Sequence, residues 1–525
     1  DGARGGAAAA TSGGAPNHNA PNHSTPDHSA PDRSTSDHSA AGQDAADQGA
    51  AQGTGAAPDG AATADHGPAT REAGASAAAV LAAYGHLVDR VTGLVTGIRR
   101  DPRGPAFLNS FHADHPSYAH AGTHGGAHGG LEAVRAGLRA AAHGKGATAE
   151  EARAGALCEA LEHYSGHFQG DEPRRRARYR DLGPEAAVHP DSVQLFAARQ
   201  FQDRTAEGAH AAYAPRHRPC DPFDEDAEIC WTPVWSLTAE RHRLVPTALL
   251  YHGAPQAAGR RYCRADSCGA AAGRSLADAV LRGFLELVER DAVALWWYNR
   301  TRQPAVDLDA FGDPWIAELR RVHAGLRREV WALDLTSDFG IPVVAALSRR
   351  TDKPAEDITM GFGARFDRHA ALRHALAELN QMLPVVVEAR RDGTGYGPAE
   401  PEALRWFRTA TIANQPYITP DPGGVPVGPG GARIHWRGAR ADRHAVAREG
   451  VARALDLTRE RGLELLALDQ TRPDVGLPVA KVLVPGLRPH WARFAPGRLF
   501  DVPVDLGRVA RPTPYERLNP TPLFL

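Results

Sequence analysis

The sequence predicts one large body of mixed helices and strands, α/β or α+β in class, over residues 76–525 behind a disordered tail. Three observations lead there. Residues 1–75 hold Ala, Gly, Pro, Ser, Asp and His with almost no large apolar side chain. Beyond them, segments with a helical 3.6-residue period interleave with apolar runs of strand length. No shift in composition divides the remainder, so a single domain is expected.

In chain order, the tail carries a five-residue repeat through His18, His23, His28, Arg33 and His38. It buries too little apolar surface to offset the entropy of ordering. Order is expected from about Ala77, where Val80, Leu81, Tyr84 and Leu87 share a helical face. Residues 93–98 read as a strand after a turn. Helices are expected over about 148–165, 275–298 and 368–388. Residues 229–237, 249–251, 330–335, 343–347, 463–468 and 479–484 read as strands, and the Pro-rich end as extended chain. The chain opens on Asp1 without Met, so an upstream segment, even a whole domain, is expected.

Composition excludes several classes. Lys plus Arg (60) balances Asp plus Glu (62), so there is no basic footprint for nucleic acid. No run approaches the roughly 18–20 apolar residues of a membrane span. Cys158, Cys220, Cys230, Cys263 and Cys268 contain no C-x-x-C pair and read as reduced thiols of a cytoplasmic protein. The bases are almost all Arg; Lys145, Lys353 and Lys481 stand apart, and Lys145 lies between two glycines.

The chemistry is carried by a motif that occurs three times: two small residues four apart, an acid three further on, and a polar residue three beyond. The copies are Ala152, Ala156, Glu159, Glu162; Ala279, Gly283, Glu286, Glu289; and Ala371, Ala375, Glu378, Gln381. Spacings of 3, 4 and 7 put each copy on one stripe of a helix. In the second helix Asp278 and Arg290 join the same side. Solvated acidic faces explain one such helix, but three suggest a polyanion carried by divalent cations. Mg²⁺ takes a few carboxylates, waters and phosphate oxygens, and Lys145 and Arg290 would face the phosphates directly. There is no Walker A loop. Cys268 is read as a small turn residue rather than a nucleophile, and Trp296, Trp297 and Tyr298 as core.

Residues 266–300, with Gly283-Phe284-Leu285-Glu286-Leu287-Val288-Glu289-Arg290, resemble the YcaO family, and more narrowly its azoline-forming, thiazole/oxazole-type cyclodehydratases. Gly144-Lys145-Gly146 with the first acidic helix, residues 371–381, residues 469–474, Gly486-Leu487 with Trp491, and the ending at residues 518–525 fit the family in order. Departures are His143 and Gly155 where Ser is usual, His163 for Arg, Cys268 for Asn, and a shortened ending at Pro520-Thr521-Pro522.

The resemblance implies an α+β, YcaO-type fold with mixed sheets and helices around an ATP/Mg²⁺ site. It implies ATP-dependent closure of Cys, Ser or Thr residues of a precursor peptide into thiazolines or oxazolines. It assigns nucleotide binding to Lys145, Glu159, Glu162, Asp278, Glu286, Glu289, Arg290, Arg373, Glu378 and Gln381, with Glu159, Glu162, Glu286 and Glu289 as metal ligands. The Leu525 carboxylate becomes a candidate base at the end of the tail. The implied partners are a leader-binding E1-like (ThiF-like) protein, an FMN-dependent azoline dehydrogenase and a second copy in a homodimer. The alternatives are thioamide or amidine formation, and a noncatalytic scaffold that binds peptide or partner.

Overall fold

Glycines packed onto helices organise this protein. In the computed structural model the described residues are 68–115, 141–205, 217–257, 259–430 and 443–524. The chain divides into Asp1–Ala64 and Asp65–Leu525, and every described residue belongs to the second unit. The tail therefore lies outside the described residues, except for 68–75. Those residues join α1 (Pro68–Tyr84), whose alanines favour helix.

Three sheets follow. The first is antiparallel: β1 (Gly97–Arg100), β2 (Phe111–Asp114) and β3 (Ala141–Gly144). Helix α2 (Ala149–Ser165) packs across it, started by a capping box between Thr148 and Glu151. The second sheet holds β4 (Arg175–Ala177), β5 (Ile229–Ser236), β6 (Arg241–Pro246), β7 (Ala270–Ala272), β11 (Leu466–Asp469) and β12 (Val479–Leu483). Its order is β4-β5-β11-β12-β7, with β6 paired to β5. The third sheet, β10-β9-β8, is an antiparallel meander of β8 (Arg328–Asp334), β9 (Val343–Arg350) and β10 (Thr359–Ala364).

Helix α3 (Leu276–Asn299) lies against β7 and β12 on one side and β10 on the other. Trp296, Trp297 and Tyr298 at its end are core, at most 1% exposed. Helix α4 (Pro314–Gly325) covers β8, and α5 (Arg368–Val386) covers β10 and β9. The chain completes with α6 (Pro401–Thr409), α7 (Arg443–Glu460) and α8 (Arg498–Asp505).

The small residues of the three repeats share one task. A Cβ on Gly144 would overlap the Ala152 carbonyl and Ala156, so β3 can press onto α2 only because both sides are small. A Cβ on Gly283 would overlap the Gly269 carbonyl, and Gly269 itself has φ +80°. Cβ atoms on Gly361 and Gly363 would overlap the backbone of Ala375 and Ala371 on α5. In each case bare backbone meets a helix, and the acids follow within the next two turns.

Two expectations change. Residues 247–250 form one buried helical turn rather than a strand (Thr247–Leu250), because Pro246 ends β6 and Thr247 Oγ1 bonds Thr232 Oγ1 at 2.9 Å. The strand expected at 93–98 begins at Gly97, since Asp89 Oδ1 accepts from Val91 N and Thr92 N and holds the preceding residues in a turn. The Pro-rich end docks over the end of α3. Asn519 N donates to Tyr298 O at 2.8 Å, Trp297 Nε1 donates to Thr521 O at 2.7 Å, and Leu523 is fully buried.

Candidate functional site

The three acidic helices converge. On α3, Glu286 Oε2 accepts from Gly269 N at 2.8 Å, and Glu289 Oε2 accepts from Ala364 N of β10 at 3.0 Å. Backbone from two sheets thus fixes both carboxylates. On α2, Glu162 Oε2 accepts from Ala272 N of β7 at 2.9 Å. On α5, Glu378 Oε2 is paired with Lys145 Nζ.

Crowding these acids together has an electrostatic cost. Glu289 is 4% exposed. Burial first, and then the Glu378 charge, push its carboxyl up to about 7 despite Arg290 beside it. Burial also lifts Glu159 to about 7, with Glu286 and Glu378 adding to it and Lys145 opposing. Glu159 still shows 36% of its side chain to solvent, so it faces an open cleft rather than the core. Glu162 is raised well above the ordinary range by burial, Glu286 and Glu159.

Cations answer the acids. Arg290 Nη2 lies 3.3 Å from Glu286 Oε1, and its Nε lies 3.8 Å from Glu289 Oε1. Burial alone would lower the Arg290 pKa, but Glu286, Glu289 and Glu378 outweigh it and raise it. Its Nη1 donates to His490 Nδ1 at 2.7 Å. Because a guanidinium only donates, His490 must be the neutral tautomer with its proton on Nε2.

Three charged or ionisable groups here escaped the sequence reading. Arg365 follows β10, and its Nη2 lies 2.9 Å from His374 Nδ1 on α5. Burial lowers the pKa of both, and Glu289 and Glu378 pull that of Arg365 back up. Arg282 pairs with Asp278 at 3.2 Å. A signal existed for His374, which lies on the Ala371–Glu378 stripe; Arg365 carries none.

Other expected site residues lie differently. Asp278 is spent locally: its carboxylate accepts from Arg274 N at 3.0 Å and Arg282 Nε at 3.2 Å, next to the Ser275 cap. Burial would raise its pKa, but these partners hold it below the ordinary range. Arg373 turns away from the cluster: its Nη1 is 2.8 Å from Asp313 Oδ2, and it stacks over Trp315. Gln381 lies half-buried one turn past Glu378. Leu525 lies outside the described residues. The Cys268 thiol is buried and pushed far up by that burial and by Asp266 and Glu286, so it is no ready nucleophile.

The donor set fits a nucleotide on Mg²⁺. Hard carboxylate oxygens crowd together and burial and mutual repulsion raise their pKa values, a condition a divalent cation relieves. Buried Arg290 Nε has no hydrogen-bond acceptor. Among the described residues no three His, Cys, Asp or Glu side chains enclose an ion unaided. Phosphate oxygens and waters would complete the shell, as Mg²⁺ commonly requires. Among the described residues no helix is long and apolar enough to cross a membrane.

Comparison with known proteins agrees with this geometry. A heterocyclase solved in complex with substrate and cofactor is 38% identical, superposes with a TM-score of 0.76, and covers 86% of this chain. The heterocyclase TruD is 42% identical over 71% of this chain, with a TM-score of 0.61. The chain spans 57% and 50% of the lengths of those two proteins. A YcaO from Methanopyrus kandleri, solved with AMPPCP and Mg²⁺, shares the fold at 19% identity; its TM-score is 0.50, and the match covers 85% of this chain and 94% of that one. The family model described as YcaO cyclodehydratase, ATP- and Mg²⁺-binding, matches residues 143–488. The chain belongs to the YcaO cyclodehydratase family.

Proposed function

We propose that this chain uses ATP to close Cys, Ser or Thr residues of a ribosomally made precursor peptide into thiazolines or oxazolines. One observation carries the reading: acids from three helices crowd together around Lys145 and Arg290. The likeness to two heterocyclases supports it.

The reaction sets the demands on the site. The peptide side chain attacks its preceding carbonyl, and the amide oxygen that must leave is a poor leaving group. Phosphorylation of that oxygen by ATP repairs this. The protein's share is positioning and charge stabilisation at a transferring phosphoryl group. Lys145, Arg290 and Arg365 supply fixed positive charge for its oxygens. Glu159, Glu162, Glu286 and Glu289 would hold Mg²⁺, with Glu378 and Gln381 beside them. When bound, the ion supplies Lewis-acid polarisation and charge neutralisation. Asp278 orders the start of α3 through Arg274 and Arg282. The Leu525 carboxylate is offered as the base for the amide proton.

The proposed partners are the precursor peptide, a leader-binding E1-like protein, an FMN-dependent dehydrogenase that oxidises azoline to azole, and a second copy of the chain. The proposed compartment is the cytoplasm. The test is to incubate the full chain with precursor, leader-binding protein, ATP and Mg²⁺ and weigh the peptide. Loss of one water per cyclised residue, dependent on ATP, is expected. An unchanged mass, or water loss without ATP, refutes the reading.

A further inference from the structure

Four cations surround the ring of His374, and one of them differs from the rest. The charges of Arg365, Lys145, Arg282 and Arg290 all bear on that ring. Lys145 is paired with Glu378, Arg282 with Asp278 at 3.2 Å, and Arg290 with Glu286 at 3.3 Å. Arg365 alone of the four has no carboxylate within ion-pair distance among the described residues. A half-buried guanidinium set among other cations, with no acid of its own, is costly until an anion completes it.

Arg365 is held in place from several sides. Its backbone N donates to Pro342 O at 3.2 Å, and the preceding Ala364 N donates to Glu289 Oε2 at 3.0 Å. The backbone that fixes Glu289 therefore carries Arg365 next in line, and the two keep a set spacing. At the other end, Nη1 donates to Ala364 O at 2.6 Å and Nη2 to His374 Nδ1 at 2.9 Å. A guanidinium only donates, so Nδ1 keeps its lone pair and the His374 proton sits on Nε2. Gly363 makes room for this contact. A Cβ there would overlap the Ala371 carbonyl and stand 3.1 Å from His374 Cβ. Two of the five guanidinium N–H groups thus aim the fork, and three remain for a ligand.

We infer that Arg365, aimed by His374, is the pair that reads the terminal phosphoryl group of ATP and so separates ATP from ADP. The inference rests on the cyclodehydratase reading above, in which that group passes to the peptide. The planar fork of an arginine matches the oxygens of a phosphoryl group, and its charge is permanent. No bond is made or broken at Arg365; its N–H groups donate to the phosphoryl oxygens. His374 is a positioning residue that acts through Arg365. Lys145 and Arg290, each already balanced by an acid, hold the nucleotide whether or not the terminal group is present.

The test is calorimetric, on the full chain with Mg²⁺, and compares AMPPCP with ADP, which lacks the terminal phosphoryl group. Wild type should bind AMPPCP more tightly than ADP. Arg365→Ala should weaken AMPPCP about 10- to 100-fold, the range for losing charge-assisted hydrogen bonds, and leave ADP within about twofold. If Arg365→Ala does not fold, Arg365→Gln decides, with the same losses expected. His374→Ala should weaken AMPPCP about three- to tenfold, and His374→Asn, which offers an acceptor oxygen, should recover most of that. Wild-type-like AMPPCP binding in the Arg365 variant overturns the inference, as does an equal loss of AMPPCP and ADP. So does a wild type that holds AMPPCP no more tightly than ADP. Equal losses in the two His374 variants overturn its positioning role. A wild-type chain that separates AMPPCP from ADP yet forms no azoline defeats the cyclodehydratase reading and leaves the pair standing, so the two failures are distinguishable.

Discussion

Two neighbouring regions share the side chain of Glu162 and otherwise oppose each other. The acid cluster gathers carboxylates from α2, α3 and α5 and sets Lys145, Arg290 and Arg365 among them. The cavity beside it is walled by His115, His163, His167 and His252, burial lowers the pKa of His163 and His252, and its Lys481 is tied to backbone carbonyls. One place is arranged for a polyanion with its counter-ions, while the other is lined mainly by imidazole rings. The contrast teaches that two unlike electrostatic environments can share one buried side chain, that of Glu162.

The contrast can be broken hardest on the acid side. Glu289→Gln should cost azoline formation about 10³-fold or more, because a preorganised charge in a buried site is lost; rates of peptide mass loss check it. The same change should stabilise the protein without ligands. Glu289 holds its proton up to about 7 in the fold against an ordinary 4.5, so its contribution to stability falls as pH rises through that window. Buried His252 and His323, both lowered to about 4, act in the opposite sense: stability rises as the unfolded chain loses their protons up to pH 6.5. The difference between wild type and variant isolates Glu289. Denaturant unfolding should find Glu289→Gln more stable by on the order of 1–3 kcal/mol at pH 8, a gap that closes by pH 5. An equal gap at both pH values contradicts the assignment.

A smaller effect sharpens the positioning of Arg290. His490→Ala removes the acceptor for its Nη1 and should lower kcat about tenfold, the lower end for groups that orient a ligand through another. His490→Asn, which can present an oxygen near the same point, should recover most of it; equal losses would mean the ring only packs. The smallest effect lies outside both regions. Arg373→Ala should leave KM for ATP within about twofold and cost about 1–2 kcal/mol of stability, since buried Asp313 keeps His369 as a partner. A tenfold rise in KM would return Arg373 to the nucleotide site.

Much of the cluster was legible because it is written on helices. Spacings of 3, 4 and 7 brought out Glu159, Glu162, Glu286, Glu289 and Glu378, and the small residues before them hinted at close packing. What they pack against was not legible. Gly361 and Gly363 make residues 359–364 look unlike a strand, yet that strand exists because α5 needs bare backbone there. The histidine cavity was also hidden. His163 and His167 lie four residues apart, but His115 and His252 come from distant segments: His115 meets His163 directly, and His252 arrives through the bridge at residues 166–168. Arg373 misled for the opposite reason: it lies near the right residues in sequence but points toward Asp313. Lys145 was singled out by its glycines and pairs with Glu378, 233 positions away.

The most direct test of the central claim is the mass of a precursor peptide after incubation with wild type or Glu289→Gln, each with leader-binding protein, Mg²⁺ and ATP. The expected result is ATP-dependent loss of one water per cyclised residue with wild type and none on the same timescale with the variant. Equal water loss by both proteins would contradict the account.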